Sequence, residues 1–184
     1  MNLITKRVHM NRCNGREVKQ LTLDRDFNVP DARPDALQIM KEQGEVQIEE
    51  VHMMEGKASV KGLLHFQILY ASDGDIPVSE MTGTIPFEET IPLPQAKAED
   101  EISVQAEIGD LKSELINSRK LGMKAIVVLN VTAGSVCDGE GAIDIEGGED
   151  IYTKKRTAEV SYLIFSKKDT LRVRDEWKIP GTKD

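Results

Sequence analysis

The sequence has few of the residues from which reaction centres are built. Histidine occurs only as His9, His52 and His65, and cysteine only as Cys13 and Cys137. Zinc sites need such ligands at close spacing, as in His-x-x-x-His or Cys-x-x-Cys, and neither pattern is present. His52-Met53-Met54-Glu55 lacks the second histidine of a metalloprotease helix. His65 falls on the polar side of an alternating run, where an ordinary surface or cross-strand histidine is expected. No Gly-x-Ser-x-Gly elbow or Walker loop occurs. Gly139-x-Gly141-x-x-Asp144 ends in an acid where a dinucleotide fingerprint needs a small residue. Aromatic residues are 4% of the chain and mostly fall on strand positions. Few remain to build the stacking platforms that sugars or single-stranded nucleic acids use. The longest apolar run, Ala125–Leu129, is far too short for a bilayer span. No apolar signal-peptide core follows Met1-Asn2-Leu3-Ile4-Thr5-Lys6-Arg7.

These absences set the functional expectation: no enzyme, no cofactor, no metal and no membrane insertion. The 24 basic and 32 acidic side chains give a net charge of −8, a poor match to nucleic acid or an anionic membrane. Without an export signal the two cysteines read as reduced thiols and the compartment as cytoplasmic. Arg12 and Arg16 flank Cys13, yet an exposed or half-buried structural cysteine near a turn is favoured over a reactive one. Asp138, Glu140, Asp144, Glu146, Glu149 and Asp150 offer hard oxygen ligands. Their spacing does not fit the twelve-residue calcium loop, so Cys137–Asp150 reads as a solvated loop or ragged hairpin. An enzyme with a dispersed site would need a pocket where titratable groups converge.

What the sequence does contain is period-two alternation. Ala58, Val60, Gly62, Leu64, Phe66, Ile68 and Tyr70 alternate with Lys57, Ser59, Lys61, Leu63, His65 and Gln67. Leu121, Met123, Ala125, Val127, Leu129 and Val131 repeat the pattern. Successive side chains of a strand point to opposite faces, so such runs are strands with one buried side. Gly62 marks a bulge or bend in the first. Weaker runs predict strands at Val18–Leu23, Val46–Met53, Val78–Phe87, Ile102–Ile108 and Leu111–Leu115. Val160–Phe165 reads as a strand covered on both faces, and Leu171 with Val173 begins a last one. Glu55-Gly56 and Ser72-Asp73-Gly74-Asp75 are turn signals, and the prolines of Pro92–Asp100 mark a connector. Pro34, Asp35 and Gly44 suit the start and cap of one short helix near residues 34–43, with Leu37, Met40 and Lys41 towards the sheet. The fold class is therefore all-β with a minor α contribution, an antiparallel β-sandwich or partly open barrel built from eight or more short strands.

The two ends of the chain echo each other. Asp26-Phe27-Asn28-Val29-Pro30-Asp31-Ala32-Arg33 aligns with Glu176-Trp177-Lys178-Ile179-Pro180-Gly181-Thr182-Lys183 at an offset of 150 residues. The expected organisation is one module over 1–174 and the truncated start of a second repeat, or a linker, over 175–184. Tandem modules favour assembly, with self-association through repeats.

Several stretches together resemble the SPOCS domain family, the repeated module of spore-coat morphogenesis proteins in endospore-forming bacteria. They are Phe27-Asn28-Val29-Pro30-Asp31-Ala32-Arg33-Pro34-Asp35, Gln43-Gly44-Glu45-Val46, Gly56-Lys57, Val60-Lys61-Gly62, Ile68-Leu69-Tyr70, Ile85-Pro86-Phe87, and Ile116-Asn117-Ser118-Arg119-Lys120 leading into Lys124-Ala125. The resemblance runs from the N-terminus to about Asp175. It implies a non-enzymatic interaction module in the mother cell, at the forespore surface and coat. Its implied partners are other spore-coat morphogenetic proteins, the basement-layer ATPase stage IV sporulation protein A being one type. Such proteins often end in a peptidoglycan-binding LysM domain, of which this sequence shows no segment. The family's contact residues do not map position by position. Asn117-Ser118-Arg119-Lys120 reads as a hairpin turn with a cationic tip, and Pro30–Pro34 as a rigid turn or a junction between repeats. Asn117, Arg119, Lys120 and Arg33 are therefore the candidate partner-binding residues, beside the blander reading of solvated turn charges. The alternative function is a cell-wall carbohydrate-binding module.

Overall fold

Alternation this long is satisfied by long strands. The computed structural model describes residues 2–73 and 77–147, together with residues 152, 154, 156, 157 and 159. Six strands follow in order: β1 (Asn2–Asn28), β2 (Ala36–Met54), β3 (Lys57–Ser72), β4 (Val78–Pro92), β5 (Glu101–Asn117) and β6 (Lys120–Glu146). They form two three-stranded sheets, ordered β1-β6-β5 and β2-β3-β4. The β2/β3, β3/β4 and β5/β6 pairs are antiparallel. The chain divides into two compact units, Asn11–Asp138 and a smaller one of Met1–Met10 with Gly139–Asp184.

The larger unit is a sandwich whose middle strands are the two best alternating runs. On β3, Ala58, Val60, Leu64, Phe66, Ile68 and Tyr70 are buried, and on β6 Leu121, Met123, Ala125, Val127, Leu129, Val131 and Ala133. They pack into two clusters. One joins Val60, Phe87 and Ile91 to Val127, Leu129 and Val131; the other joins Leu64, Phe66, Ile68 and Tyr70 to Leu121, Met123 and Ala125. Each such side chain contributes about 1.5–3 kcal/mol on full burial. Edge-on packing of Phe27 against Phe66, with centroids 4.6 Å apart, extends the second cluster to β1.

Two glycines make room for the aromatic rings. Gly62 lies opposite Phe87 and Gly83 opposite Phe66 in the β3/β4 register. A Cβ at Gly62 would lie 2.6 Å from both the Phe87 ring and the Gln47 carbonyl oxygen, and one at Gly83 would collide with the Phe66 ring. Each ring folds over its cross-strand glycine, a pairing that also holds register.

Residues 34–43 are not helical, and there is no helix among the described residues. They open β2, whose register shifts between Ala36 and Gln38, between Ile39 and Lys41, and again between Ile48 and Glu50. Each bulge adds one residue, so the more buried positions Ala36, Ile39 and Glu42 recur every third residue. That spacing imitates a helix. Leu37 and Met40, expected to face the sheet, are 59% and 60% exposed. Gly44 is no cap; its inward side faces Ile108 and Leu111 of β5.

The expected short strands merge into longer ones. Ile102–Ile108 and Leu111–Leu115 are one strand, β5, with a bulge at Ile108/Asp110 in place of a turn. Cys13 lies within β1, exposed, with no turn beside it. Cys137–Glu146 is the end of β6 and not a loop; its glycines and acids alternate inside a strand. The Glu55-Gly56 turn forms as expected, with Gly56 at φ 73°. The Pro92–Asp100 connector also forms; it is tied back by the bonds Leu93 N to Gly56 O and Gly56 N to Ala96 O, 2.8 and 2.9 Å. The expected features at Gly74-Asp75, Val160–Phe165, Leu171–Val173 and the 176–183 echo lie outside the described residues, as do Glu149 and Asp150.

The Gly62 packing generates one test. Gly62→Ala forces the Phe87 ring and the Gln47 carbonyl apart and is expected to cost roughly 1–3 kcal/mol. Urea unfolding of the two proteins measures it, and an unchanged midpoint would contradict the close approach.

Candidate functional site

The two stretches from which the candidate binding residues came, 84 to 90 residues apart in several of their contacts, meet at one end of the sandwich. Asn117 pairs with Lys120 across a two-residue turn, Ser118-Arg119, so the β5/β6 hairpin forms as expected. The Asn117 side-chain oxygen accepts the Arg119 N–H at 2.9 Å, which closes the turn locally. The β1–β2 connection crosses this tip as a strap. Val29 N–H donates to the Arg119 carbonyl and Ala36 N–H to the Ser118 carbonyl, both at 2.8 Å. Arg33 N–H donates to the Pro30 carbonyl at 2.9 Å, so the strap is itself a turn.

The Arg119 guanidinium locks strap to tip. Nη1 donates to the Arg33 carbonyl at 2.8 Å and to Asp35 Oδ1 at 3.2 Å. Nη2 donates to the Val29 carbonyl at 3.0 Å and to Asp31 Oδ1 at 3.3 Å. A planar fork with fixed donor directions can serve four acceptors on one turn; an ammonium cannot. Ser118 Oγ donates to the second Asp35 oxygen at 2.8 Å, and Lys120 Nζ sits 2.6 Å from Asp26 Oδ2. Beneath the strap the buried Tyr70 donates its hydroxyl to the Pro34 carbonyl at 3.3 Å.

All four candidate residues are thus brought together, in different roles. Asn117, Arg119 and Lys120 each hold a neighbour inside the chain. The Arg33 side chain is the most available, nearly half exposed, with Glu80 at 4.0 Å. Sequence reasoning missed the acceptors, Asp31 and Asp35, and the strap itself. The signal present was chemical: two short acid-proline segments and one arginine-bearing turn, with nothing local to say that they pair.

A second polar knot lies in the same unit. Asp100 is 6% exposed. Its carboxylate accepts from the Lys97 N–H at 2.9 Å and, through both oxygens, from Asn14 Nδ2 at 2.9 Å, which also approaches Ser135 Oγ at 3.0 Å. The Lys97 backbone bond, then the Asn14 amide, hold this carboxyl below the usual range against the opposing effect of burial. The knot pins the connector before β5 to β1 and β6, a structural task.

The outer face of β2-β3-β4 carries a shallow trough of about 430 Å³. Two polar rows line it, Gln43-Gln67-Thr82 and Glu45-His65-Thr84, each in register across the three strands. His65 faces outward, as its alternation requires. Among the described residues no group of three or more His, Cys, Asp or Glu is placed to hold a metal ion, and no helix is long and apolar enough to cross a membrane.

Compared with known families, residues 35–116 match the model described as SipL, SPOCS domain. The match takes in β2, β3, β4 and nearly all of β5, and so includes the strap's Asp35 but not Arg119. Neither a curated protein nor a solved structure matches the chain.

Two outcomes test this geometry. Arg119→Ala strands carbonyl and carboxylate acceptors and is expected to cost roughly 1.5–3 kcal/mol; Arg119→Lys should recover only part of it. Chemical denaturation measures both, and full recovery by lysine would show that charge alone matters. Because the folded Asp100 carboxyl is more acidic than its ordinary value of 3.8, its contribution is complete above that pH and is lost as pH falls through the lower folded value. Glu50, bonded by His52, and Asp110, bonded by Lys112, shift the same way. Asp100→Asn should therefore make the acid-side fall in stability shallower than in the unaltered chain, without abolishing it.

Proposed function

We propose that this chain, whose residues 35–116 match the SPOCS domain model, is a non-enzymatic protein-interaction module of a sporulation coat-assembly protein. It acts in the mother-cell cytoplasm at the forespore surface and docks onto other spore-coat morphogenetic proteins. The basement-layer ATPase stage IV sporulation protein A is the partner type to test first. The reading is carried by the exposed apolar side chains at the strapped end: Leu37 and Met40, with Ile116 at 48% exposed. These belong to β2 and β5, which run alongside each other there, as the Ser113 to Glu42 bond and the Ala36 to Ser118 bond require. Large exposed apolar side chains on adjacent strands at one rigid end, with the partly exposed Arg33 in the strap above, are the composition of an interface centre with a polar rim.

In this reading Asn117, Arg119 and Lys120 shape the docking end while Arg33 reaches the partner. The bulges of β2 push Leu37 and Met40 outward, so the same device that breaks the strand's alternation also creates the surface. The echo of Asp26–Arg33 in Glu176–Lys183 supports a tandem arrangement with 175–184 opening a second copy. Linked modules would raise avidity for a repetitive coat layer without new contacts. The alternative, a cell-wall glycan reader, has the polar trough as its surface, but Phe66, Tyr70 and Phe87 are buried and provide it no platform.

The test is association of the purified chain with the purified basement-layer ATPase, followed by biolayer interferometry. Leu37→Asp combined with Met40→Asp should weaken association at least tenfold while leaving the thermal transition in place. Binding unaffected by the pair would remove this end as the docking surface. Sedimentation with purified peptidoglycan, in parallel, would favour the glycan reading.

A further inference from the structure

Every sheet edge is a row of backbone donors and acceptors that must be paired, covered or blunted. Here the edges are treated unequally. In β2 the ladder is broken by three register shifts and in β5 by two, and these two edges also run beside each other. The β3/β4 ladder, in contrast, runs from Lys57↔Pro92 to Ala71↔Val78 with no shift at all. β4 is thus a straight, regular edge, and it carries no lysine or arginine.

Its two halves differ. The C-terminal half is covered: Lys19 of β1 lies 3.1 Å from Glu89, and residues 19–23 and 86–89 face each other across a cleft. The half from Val78 to Ile85 has no strand on its outer side among the described residues. It contains neither proline nor bulge. Pro86 and Pro92 tell which backbone groups point outward. A proline is tolerated in a paired strand only where its missing N–H would face away from the ladder. Both prolines occupy even positions, and N–H and C=O of one residue in an antiparallel ladder point to the same side. Glu80, Thr82 and Thr84 therefore aim their N–H and C=O groups out of the sheet, about 6.8 Å apart.

We propose that Val78–Ile85 is a β-augmentation site, which takes an extended peptide segment as a fourth strand of the β2-β3-β4 sheet. The occupant is specified by cross-strand chemistry. Thr82 and Thr84 favour threonine or another β-branched residue opposite them, and Glu80 favours lysine or arginine. Glu80 is the acid with charge to offer: its ion pair with Arg33 is long, at 4.0 Å, its other oxygen accepts from the neutral Gln67 amide at 2.9 Å, and it is 46% exposed. Glu88 and Glu89 are closer to Lys61 and Lys19, at 3.6 and 3.1 Å. Glu45, on the far side of the trough, adds to the negative potential of this face. A second copy of the chain is disfavoured as occupant, since it brings the same acidic strand and the same net charge of −8. Main-chain bonds would supply affinity and the Glu80 contact selectivity, as in other strand-addition modes. This site lies along β4, on the other edge of the sheet from Leu37 and Met40 of β2; the two surfaces meet at Arg33, whose guanidinium is 4.0 Å from Glu80, and the peptide readout does not use Leu37 or Met40.

The probe is a fluorescein-labelled octapeptide, Lys-Val-Thr-Val-Thr-Val-Lys-Ser, titrated with the full 184-residue chain and followed by fluorescence anisotropy. Saturable binding is expected, at least tenfold weaker for the same peptide with glutamate in place of lysine and at least tenfold weaker for Glu80→Lys. Hydrogen exchange should slow at the Glu80, Thr82 and Thr84 amides when the peptide is bound. Thr82→Pro removes an outward N–H that the β3 ladder does not use, so it should abolish binding while the thermal transition persists. Absence of saturable binding, equal affinity for the glutamate peptide, or protection confined to other strands would overturn the proposal. Those results would leave the coat-partner reading standing, because that reading is judged by Leu37 and Met40.

Discussion

The whole sandwich depends on two inner rows, those of β3 and β6, being buried against each other. Ala58 through Tyr70 on one strand and Leu121 through Ala133 on the other are nearly inaccessible, and each row is the middle of its sheet. The remaining strands are placed by pairing to these two, so the position of every surface feature follows from that one contact. Hydrophobic burial supplies the driving force but no direction along the strands. Register comes from shape: Phe87 over Gly62 and Phe66 over Gly83 allow one alignment of β3 with β4, since a shift of one residue would turn each buried row to solvent.

Burial in the middle leaves the ends to polar chemistry. At one end the strap from Val29 to Ala36 lies over the Ser118-Arg119 turn, and the guanidinium serves two carbonyls and two carboxylates. In the connector before β5, Asp100 gathers the Lys97 amide and the Asn14 side chain. These clusters explain why short acid-, proline- and asparagine-bearing stretches are distinctive in an otherwise repetitive sequence. They satisfy backbone groups where the ladders stop. A cationic turn that reads as a binding tip is first of all a clasp, and any partner meets a surface that the clasp has already shaped.

The edges carry the functional argument. β2 departs from regular pairing three times, which discourages indiscriminate pairing and turns Leu37 and Met40 outward. β4 does not depart once. The apolar end and the regular edge thus offer a partner two different kinds of contact, side-chain burial at one and backbone pairing at the other. Neither needs a pocket with converging ionisable groups. The trough on the outer face is wide and lined by amide, hydroxyl, carboxylate and imidazole groups spread over two rows.

Period two was decisive where one face is fully buried: the inward residues of β3 and β6 could be read off the chain one by one, because burial demands apolar side chains at every second position. The Glu55-Gly56 turn and the Pro92–Asp100 connector were equally plain, since Gly56 must adopt positive φ and prolines cannot donate. Residues 34–43 misled for a physical reason: two bulges give a strand a three-residue rhythm, and only the partner strand reveals an inserted residue. The glycines of 139–141 likewise look like loop breaks until neighbours hold them extended inside β6. The amino-acid sequence by itself determined that this chain makes strands and which sides of them are dry. Only the tertiary structure decided where the strands bulge, which edge stays regular, and that Arg119 closes on Val29, Asp31, Arg33 and Asp35, because those outcomes rest on contacts between segments with no local pattern in common.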